Sequence, residues 1–180
     1  SLYELRLLHA FSGLSHPPAT VSTANTKLRQ LGNRLFSQGV EEAGLLLQLS
    51  ADGRQLSAYS DETGFVRQER LQLLCCLALA SAGQSVALPE HAPAAAEGLA
   101  AAHGCRVLRY HESAGDSAEE RAARALALEQ RFSLDGLFAA GTVLRFLAEQ
   151  RTSRGAVLKQ LPSVHIARRT LPVNGISRGV

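Results

Sequence analysis

A chain of 180 residues, 46% hydrophobic and 19% charged, has the make-up of a globular protein of one ordinary domain or of pieces of two, and not of a disordered one. The formal net charge of +3 is scattered except for Arg168, Arg169 and Arg178 near the end, and with aromatics at 5% no basic cluster carries a stacking platform, which argues against a nucleic-acid partner. Three cysteines, two of them adjacent at Cys75 and Cys76, form neither a disulfide framework nor a zinc pattern, and no uninterrupted apolar run reaches the length of a membrane span.

Residues 2–11 (LYELRLLHAF) read as an amphipathic helix ending near Gly13, and Ser15 to Ala24, with Pro17-Pro18, as a loop. Thr26 to Phe36 carries Leu28, Leu31 and Leu35 at helical spacing, with Gly39 as its stop. A buried strand is expected at Leu45–Leu49, then the Asp52-Gly53 pair as a two-residue hairpin signal, a strand from Leu56, and a second turn at Asp61-Glu62-Thr63-Gly64. Gln68 to Ala82 is a strongly apolar helix stopped by Gly83, and Ser85 to Leu88 a short buried strand ended by Pro89. Ala92 to His103 is an alanine-rich helix with Pro93 in its first turn and Gly104 as its stop, and Arg106 to Tyr110 is the next strand. This alternation predicts an α/β fold of three layers, a parallel or mixed sheet with helices on both faces. Asp116 to Gln130 is a helix whose Glu119, Glu120, Arg121 and Arg124 read as a solvated polar face.

The stretch from Ser133 to Pro162 predicts a long amphipathic helix, a turn, a second helix and a proline stop. Its apolar face is read from Leu134, Leu137, Phe138, Leu144, Leu147 and Ala148, with Ser133 as the cap and Asp135 in the first turn, where a negative charge meets the helix dipole favourably. Arg145, Glu149 and Arg151 fall on the wet side; Ser153 caps the second helix, whose inner face is Val157, Leu158 and Leu161. Val164 to Val173 reads as an extended segment leaving the domain.

Chemistry is sparse. The histidines at 9, 16, 91, 103, 111 and 165 form no i, i+4 pair and read as surface or cap residues. There is no Gly-x-Gly-x-x-Gly or P-loop pattern, and no nucleophile stands with a base. Ser113 to Ser117 has loop composition that could hold an anion. Cys75, Cys76 and Cys105 lie in apolar segments and read as buried free thiols, which fits a reducing, cytoplasmic setting; no secretion signal is visible. With no methionine in the sequence, both ends are expected to be cuts within a longer chain.

Asp135-Gly-Leu-Phe-Ala-Ala140, followed by Leu-x-x-Leu-Ala and a closing Leu161-Pro162, resembles the D-G-I-Y-A-A-L-x-L-L-E…L-P helix of the alpha-D-phosphohexomutases, the phosphomannomutase/phosphoglucomutase family, without a gap. Gln68 to Tyr110 follows the helix–strand–helix–strand order of that family's third domain, and the resemblance covers about residues 45–173. It implies that residues 1–64 are the C-terminal part of a domain II-like unit, 65–165 a domain III-like unit, and 166–180 a linker towards a missing C-terminal domain.

The resemblance also carries site expectations. Active family members hold Mg2+ on a D-G-D-x-D-R loop before a D-E-x-G turn, and Asp61-Glu62-Thr63-Gly64 matches that turn. With the Asp-Gly pairs aligned, the other two aspartates become Arg54 and Leu56; counted back from Asp61, the three positions hold Ala51, Gly53 and Gln55. Asp52 is the only remnant of the metal loop and reads as a turn residue, so neither metal nor other cofactor is expected in this chain. The family's sugar-gripping G-E-x-S-G-H loop is missing, and Glu129 is the residue nearest its place and the one substrate-binding candidate; no catalytic residue is assigned. The resemblance thus implies a fragment of a phosphohexomutase-like protein of sugar-phosphate metabolism, catalytically inactive by itself. The alternative is a non-catalytic structural or regulatory module of a sugar-1-phosphate nucleotidyltransferase, as in mannose-1-phosphate guanylyltransferase/phosphomannomutase fusions. Expected partners are the other domains of the parent chain, with a hexose phosphate and a second copy as further candidates; neither nucleic acid nor membrane is expected.

Overall fold

The computed structural model describes residues 1–113 and 115–162. Ala114 in the expected anion loop, the end of the 65–165 unit, the extended segment at 164–173 with His165, and the 166–180 linker lie outside the described residues.

Helix α1 (Leu2–Phe11) is capped by Ser1, whose hydroxyl accepts from the Glu4 N–H at 3.3 Å. Strand β1 (Ala19–Ser22) replaces the loop expected over 15–24. It is only four residues long and polar on alternate positions, and the neighbouring Pro17-Pro18 hides it from pattern reading; Ala19 and Val21 turn inward, Thr20 and Ser22 outward. His16, read as a surface loop residue, is in fact buried edge-on against Phe36. Helix α2 (Thr26–Phe36) follows an Asn25 cap. Strands β2 (Leu45–Leu49), β3 (Leu56–Ser60) and β4 (Gly64–Val66) complete a mixed sheet in the order β1-β2-β3-β4, with β1 parallel to β2 and the other pairs antiparallel. Strand β4 spans the position where a domain boundary was expected, between residues 64 and 65.

The Asp52-Gly53 turn is wider than a two-residue hairpin. Ser50 and Gln55 close it, the Ser50 N–H donating to the Gln55 carbonyl at 3.0 Å. Ser50 and Asp52 side chains brace the backbone inside the loop, which a two-residue turn has no room for.

Helix α3 (Gln68–Ser81) is followed by Gly83 at φ +80°, as its stop predicts. Strands β5 (Val86–Pro89) and β6 (Val107–Tyr110) pair in parallel through α4 (Ala95–Ala101), which is shorter than the expected 92–103 because its first and last residues form turns. Val86 and Leu88 face the main core with α3 and α4, while Ala87 and Tyr110 pack on Ala123 and Ala127 of α5 (Ala118–Gln130). Helices therefore cover both faces here, in an α/β arrangement. On the four-stranded sheet, Val21, Leu47, Ala58 and Val66 point into the core shared with α3 and α6 (Gly136–Glu149). Short α7 (Arg154–Lys159), capped by Ser153, buries Val157 and Leu158 against that core.

Helix α6 is the centre of the molecule. Leu137, Phe138, Ala140, Val143, Leu144 and Phe146 are buried, as the periodicity predicts. Leu134 and Ala148, counted on the same face, are exposed. Leu134 lies before the helix begins, and Ala148 lies past Phe146, the last buried residue of the helix. The cap is Asp135, not Ser133: its carboxylate accepts from the Leu137 and Phe138 N–H groups at 2.8 and 3.2 Å. Ser133 instead accepts from the Tyr110 hydroxyl at 3.0 Å.

Candidate functional site

The loop after β2 is held by its own side chains. Asp52 Oδ1 accepts from Ser50 Oγ at 2.5 Å and from the Arg54 N–H at 3.0 Å, and Ser50 Oγ accepts from the Gln55 N–H at 3.0 Å. The Ser50 hydroxyl first, then the Arg54 amide, hold the Asp52 carboxyl below its ordinary value. Gly53, at φ +75°, donates to the Ser50 carbonyl at 2.9 Å and lies against Leu28 of α2. Its carbonyl accepts the Gly136 N–H at 2.7 Å. A Cβ on Gly136 would stand 2.4 Å from Leu49 Cδ2 and 2.8 Å from that carbonyl oxygen, so glycine is required for α6 to dock its first turn on this loop.

The donor set does not suit Mg2+. A hard dication needs several carboxylate or carbonyl oxygens converging on one point. Here one carboxylate is present, one of its oxygens is already engaged twice, and a guanidinium-bearing residue is its neighbour. Among the described residues, no three His, Cys, Asp or Glu side chains converge as a metal site.

Beside the loop, at the carboxyl ends of β1 and β2, lies an open depression of about 400 Å³. Its wall is amide and hydroxyl: Ser22, Thr23, Gln48, Gln55, Ser57 and Gln68, over Leu49 and Leu56. Among the described residues, no charged side chain lines it. Ligands in α/β folds characteristically sit at this end of the strands.

Glu129 stands elsewhere. It is exposed in the last turn of α5, at the rim of a shallow depression against α1 that is lined by Leu5, His9, Leu128, Arg131 and Phe138. Neither this depression nor a second one beside Glu129, shared with Arg145 and Glu149, includes Asp52. The two residues singled out from the sequence are therefore not brought into one pocket.

The sequence reading missed a charged cluster at the carboxyl ends of β5 and β6. Glu120, expected on a wet face, is buried. One carboxylate oxygen accepts the His111 N–H at 2.6 Å and the other lies 3.0 Å from His111 Nδ1. His111 Nε2 is 3.2 Å from Glu90, and Arg124 donates to the His111 carbonyl. The hydrogen bond to Glu120 and the charge of Glu90 raise the His111 pKa, and the bonds from His111 lower that of Glu120. The signal available in the sequence was the Glu120/Arg124 spacing of four opposite a histidine at a strand end. In a second cluster, Arg109 grips Glu97 through two parallel bonds at 2.9 and 2.6 Å and donates to the carbonyls of Pro89, Ala92 and Pro93. Both clusters tie strand ends to helices; the second satisfies itself internally, while in the first the buried Arg124 Nε has no hydrogen-bond partner among the described residues. Burial pushes the Cys76 thiol up to about 11 and raises Cys75 further, so both are inert apolar packing; Cys105 is partly exposed.

No protein-family model and no curated protein matches the sequence. Solved structures do match. A phosphoglucomutase/phosphomannomutase family protein from Burkholderia thailandensis superposes with a TM-score of 0.65 at 15% identity, over 91% of this chain and 47% of that one. An N-acetylglucosamine-phosphate mutase, a member of the alpha-D-phosphohexomutase superfamily, gives a TM-score of 0.53 at 12% identity, over 88% of this chain and 56% of that one. This chain thus spans about half the length of the structures it matches. At these identities the likeness is one of fold: the architecture built around α6 is that of the phosphohexomutases.

Proposed function

We propose that this chain is a phosphohexomutase-like scaffold that has no phosphoryl-transfer chemistry of its own, part of a protein of sugar-phosphate metabolism. The observation that carries the reading is the engagement of Asp52. The loop that in the family would present three aspartates to a metal ion here presents one, and that one is turned onto Ser50 and the Arg54 amide to close its own turn. A charge-free polar depression beside it supports the same reading, since a phosphate dianion needs cationic or metal partners.

In the parent protein such a scaffold serves as a structural or regulatory module, and a nucleotidyltransferase fused to it would carry the chemistry. The test is calorimetric titration of the chain with Mg2+, alone and with mannose-1-phosphate or glucose-6-phosphate, beside a mutase assay. No Mg2+ uptake and no turnover is the expected result. Magnesium-dependent binding of either sugar phosphate, abolished by Asp52→Asn, would overturn the proposal.

A further inference from the structure

Among the described residues the two sheets end at β1, β4, β5 and β6. A strand with a neighbour on one side turns alternate N–H and C=O groups outwards, where they accept a further strand unless something blocks them. On three of these four strands, side chains from helices already hold outward groups.

On β1, Asn33 of α2 bonds both groups of Val21. Its Oδ1 accepts the N–H at 2.8 Å and its Nδ2 donates to the carbonyl at 2.9 Å, the pair of bonds that a facing residue of an antiparallel strand would make. Nδ2 also donates to the Arg29 carbonyl at 3.0 Å, which fixes the amide on its own helix. The preceding residue, Gly32, lies so close to Val21 that a Cβ would stand 2.8 Å from Val21 Cγ1, so α2 is seated at this distance. On β5, Gln130 at the end of α5 accepts the Ala87 N–H at 3.0 Å and donates to the Ser85 carbonyl at 2.6 Å. Those are the two groups that one residue of a parallel neighbour would take. On β6, Tyr110 turns its carbonyl towards β5, accepting the Glu90 N–H at 2.9 Å, so the next residue, His111, directs its own groups outwards. There Glu120 accepts the His111 N–H at 2.6 Å and Arg124 donates to the His111 carbonyl. Helix α5 therefore crosses the two-stranded sheet and closes one edge from near each of its ends.

We infer that α2 and α5 seal these edges against strand addition, so that a second copy of this chain cannot extend either sheet at Val21, Ala87 or His111. The groups an incoming strand needs are bonded within the chain. Displacing Asn33 or Gln130 would exchange two hydrogen bonds for two others and leave a side-chain amide to find new partners, so addition gains nothing at that residue. Any self-association of the chain runs through side-chain surfaces instead.

The test is amide exchange read by NMR, beside sedimentation, on the full chain at micromolar and near-millimolar concentration. In the unmodified chain the Val21, Ala87 and His111 amides should be equally protected at both concentrations. Asn33→Ala should speed exchange at Val21 about tenfold, and Asn33→Asp, which keeps the accepting oxygen and the size, should not. The Asn33→Ala/Gln130→Ala double variant should associate as its concentration rises, with Val21 and Ala87 regaining protection in the associated form. Circular dichroism checks folding, and if the double variant does not fold, Asn33→Ala alone carries both readouts at Val21. The inference fails if protection at Val21 or Ala87 in the unmodified chain grows with concentration, or if Asn33→Ala leaves Val21 exchanging as slowly as before. It fails equally if the opened variant exchanges fast yet stays unassociated, since the side chains would then guard nothing. None of these outcomes involves Mg2+ or sugar phosphate, so this proposal and the inactive-scaffold reading stand or fall separately.

Discussion

His111 shows how a single residue can couple two elements. It closes the end of β6 onto α5 through Glu120, and Glu90 reaches it from the end of β5. Its pKa is raised in the fold, so its contribution to stability is complete below its ordinary 6.5 and fades as the pH climbs through the raised value. Glu120 is lowered in the fold, so its contribution is complete above its ordinary 4.5 and fades as the pH falls through the lowered value. The pair therefore stabilises most between those two ordinary values. His111→Ala should lower the urea midpoint most in that window and much less in mildly alkaline buffer. An equal loss at both pH values would show that only packing was removed. The Glu120/Arg124 spacing was legible, but the burial of Glu120 was not, because Glu120 belongs to a run of charges that reads as solvent-facing. Burial of one member depends on where β6 ends, which spacing along α5 does not encode. Asp135 was legible as a first-turn acid but not as the cap, because Ser133 competes for the role in sequence and only its bond with the Tyr110 hydroxyl removes it.

At the scale of the element, β5 is the instructive case. All four of its residues are buried, yet among the described residues it pairs with β6 on one side only. The other edge is closed by a side chain. Gln130, last residue of α5, accepts the Ala87 N–H at 3.0 Å and donates to the Ser85 carbonyl at 2.6 Å, as a neighbouring strand would. Pro89, which lacks an N–H, completes the strand without adding a further donor to satisfy. Gln130→Ala should cost about 1–3 kcal/mol, the penalty of a buried peptide group left unpaired. Amide exchange at Ala87 should accelerate beyond that of Val86, whose N–H is held by the Arg106 carbonyl. If Ala87 remained as protected as in the parent chain, water or another group would be closing the edge. The strand itself was readable from Ser85-Val-Ala-Leu88 between a glycine stop and a proline. Its lone pairing was not, since one sequence does not say which strands become neighbours. The same limit hid β1, whose hydrophobic content is two inward residues and whose identity depends on finding β2 alongside.

The whole molecule is organised by the docking of other elements on α6, and its two glycines set how closely they approach. Gly136 admits the loop after β2, and Gly141 admits α1. A Cβ on Gly141 would stand 2.2 Å from the Phe11 ring, which sits between Phe36 and Phe138 and under the Arg145 guanidinium at 5.2 Å. Arg145 also donates to the Ala10 carbonyl, so α1 is fixed by its backbone and cannot slide away at little cost. In an isolated helix Gly→Ala would stabilise by about 1 kcal/mol. Forcing a methyl group into a closed aromatic contact costs about 1–3 kcal/mol, and with the ring wedged on both sides the upper part of that range applies. Gly141→Ala should therefore destabilise the protein despite the better helix former. Phe11→Ala alone should cost about 3–5 kcal/mol through the lost ring and the cavity. In that background the methyl group has room, so Gly141→Ala should become stabilising and reverse its sign. Denaturant unfolding of the two single variants and the double variant measures this as a coupling on the order of 2 kcal/mol. Additive effects would mean that α1 packs on α6 through contacts other than the Phe11–Gly141 apposition, and that the N-terminal helix is only loosely part of the fold built around α6.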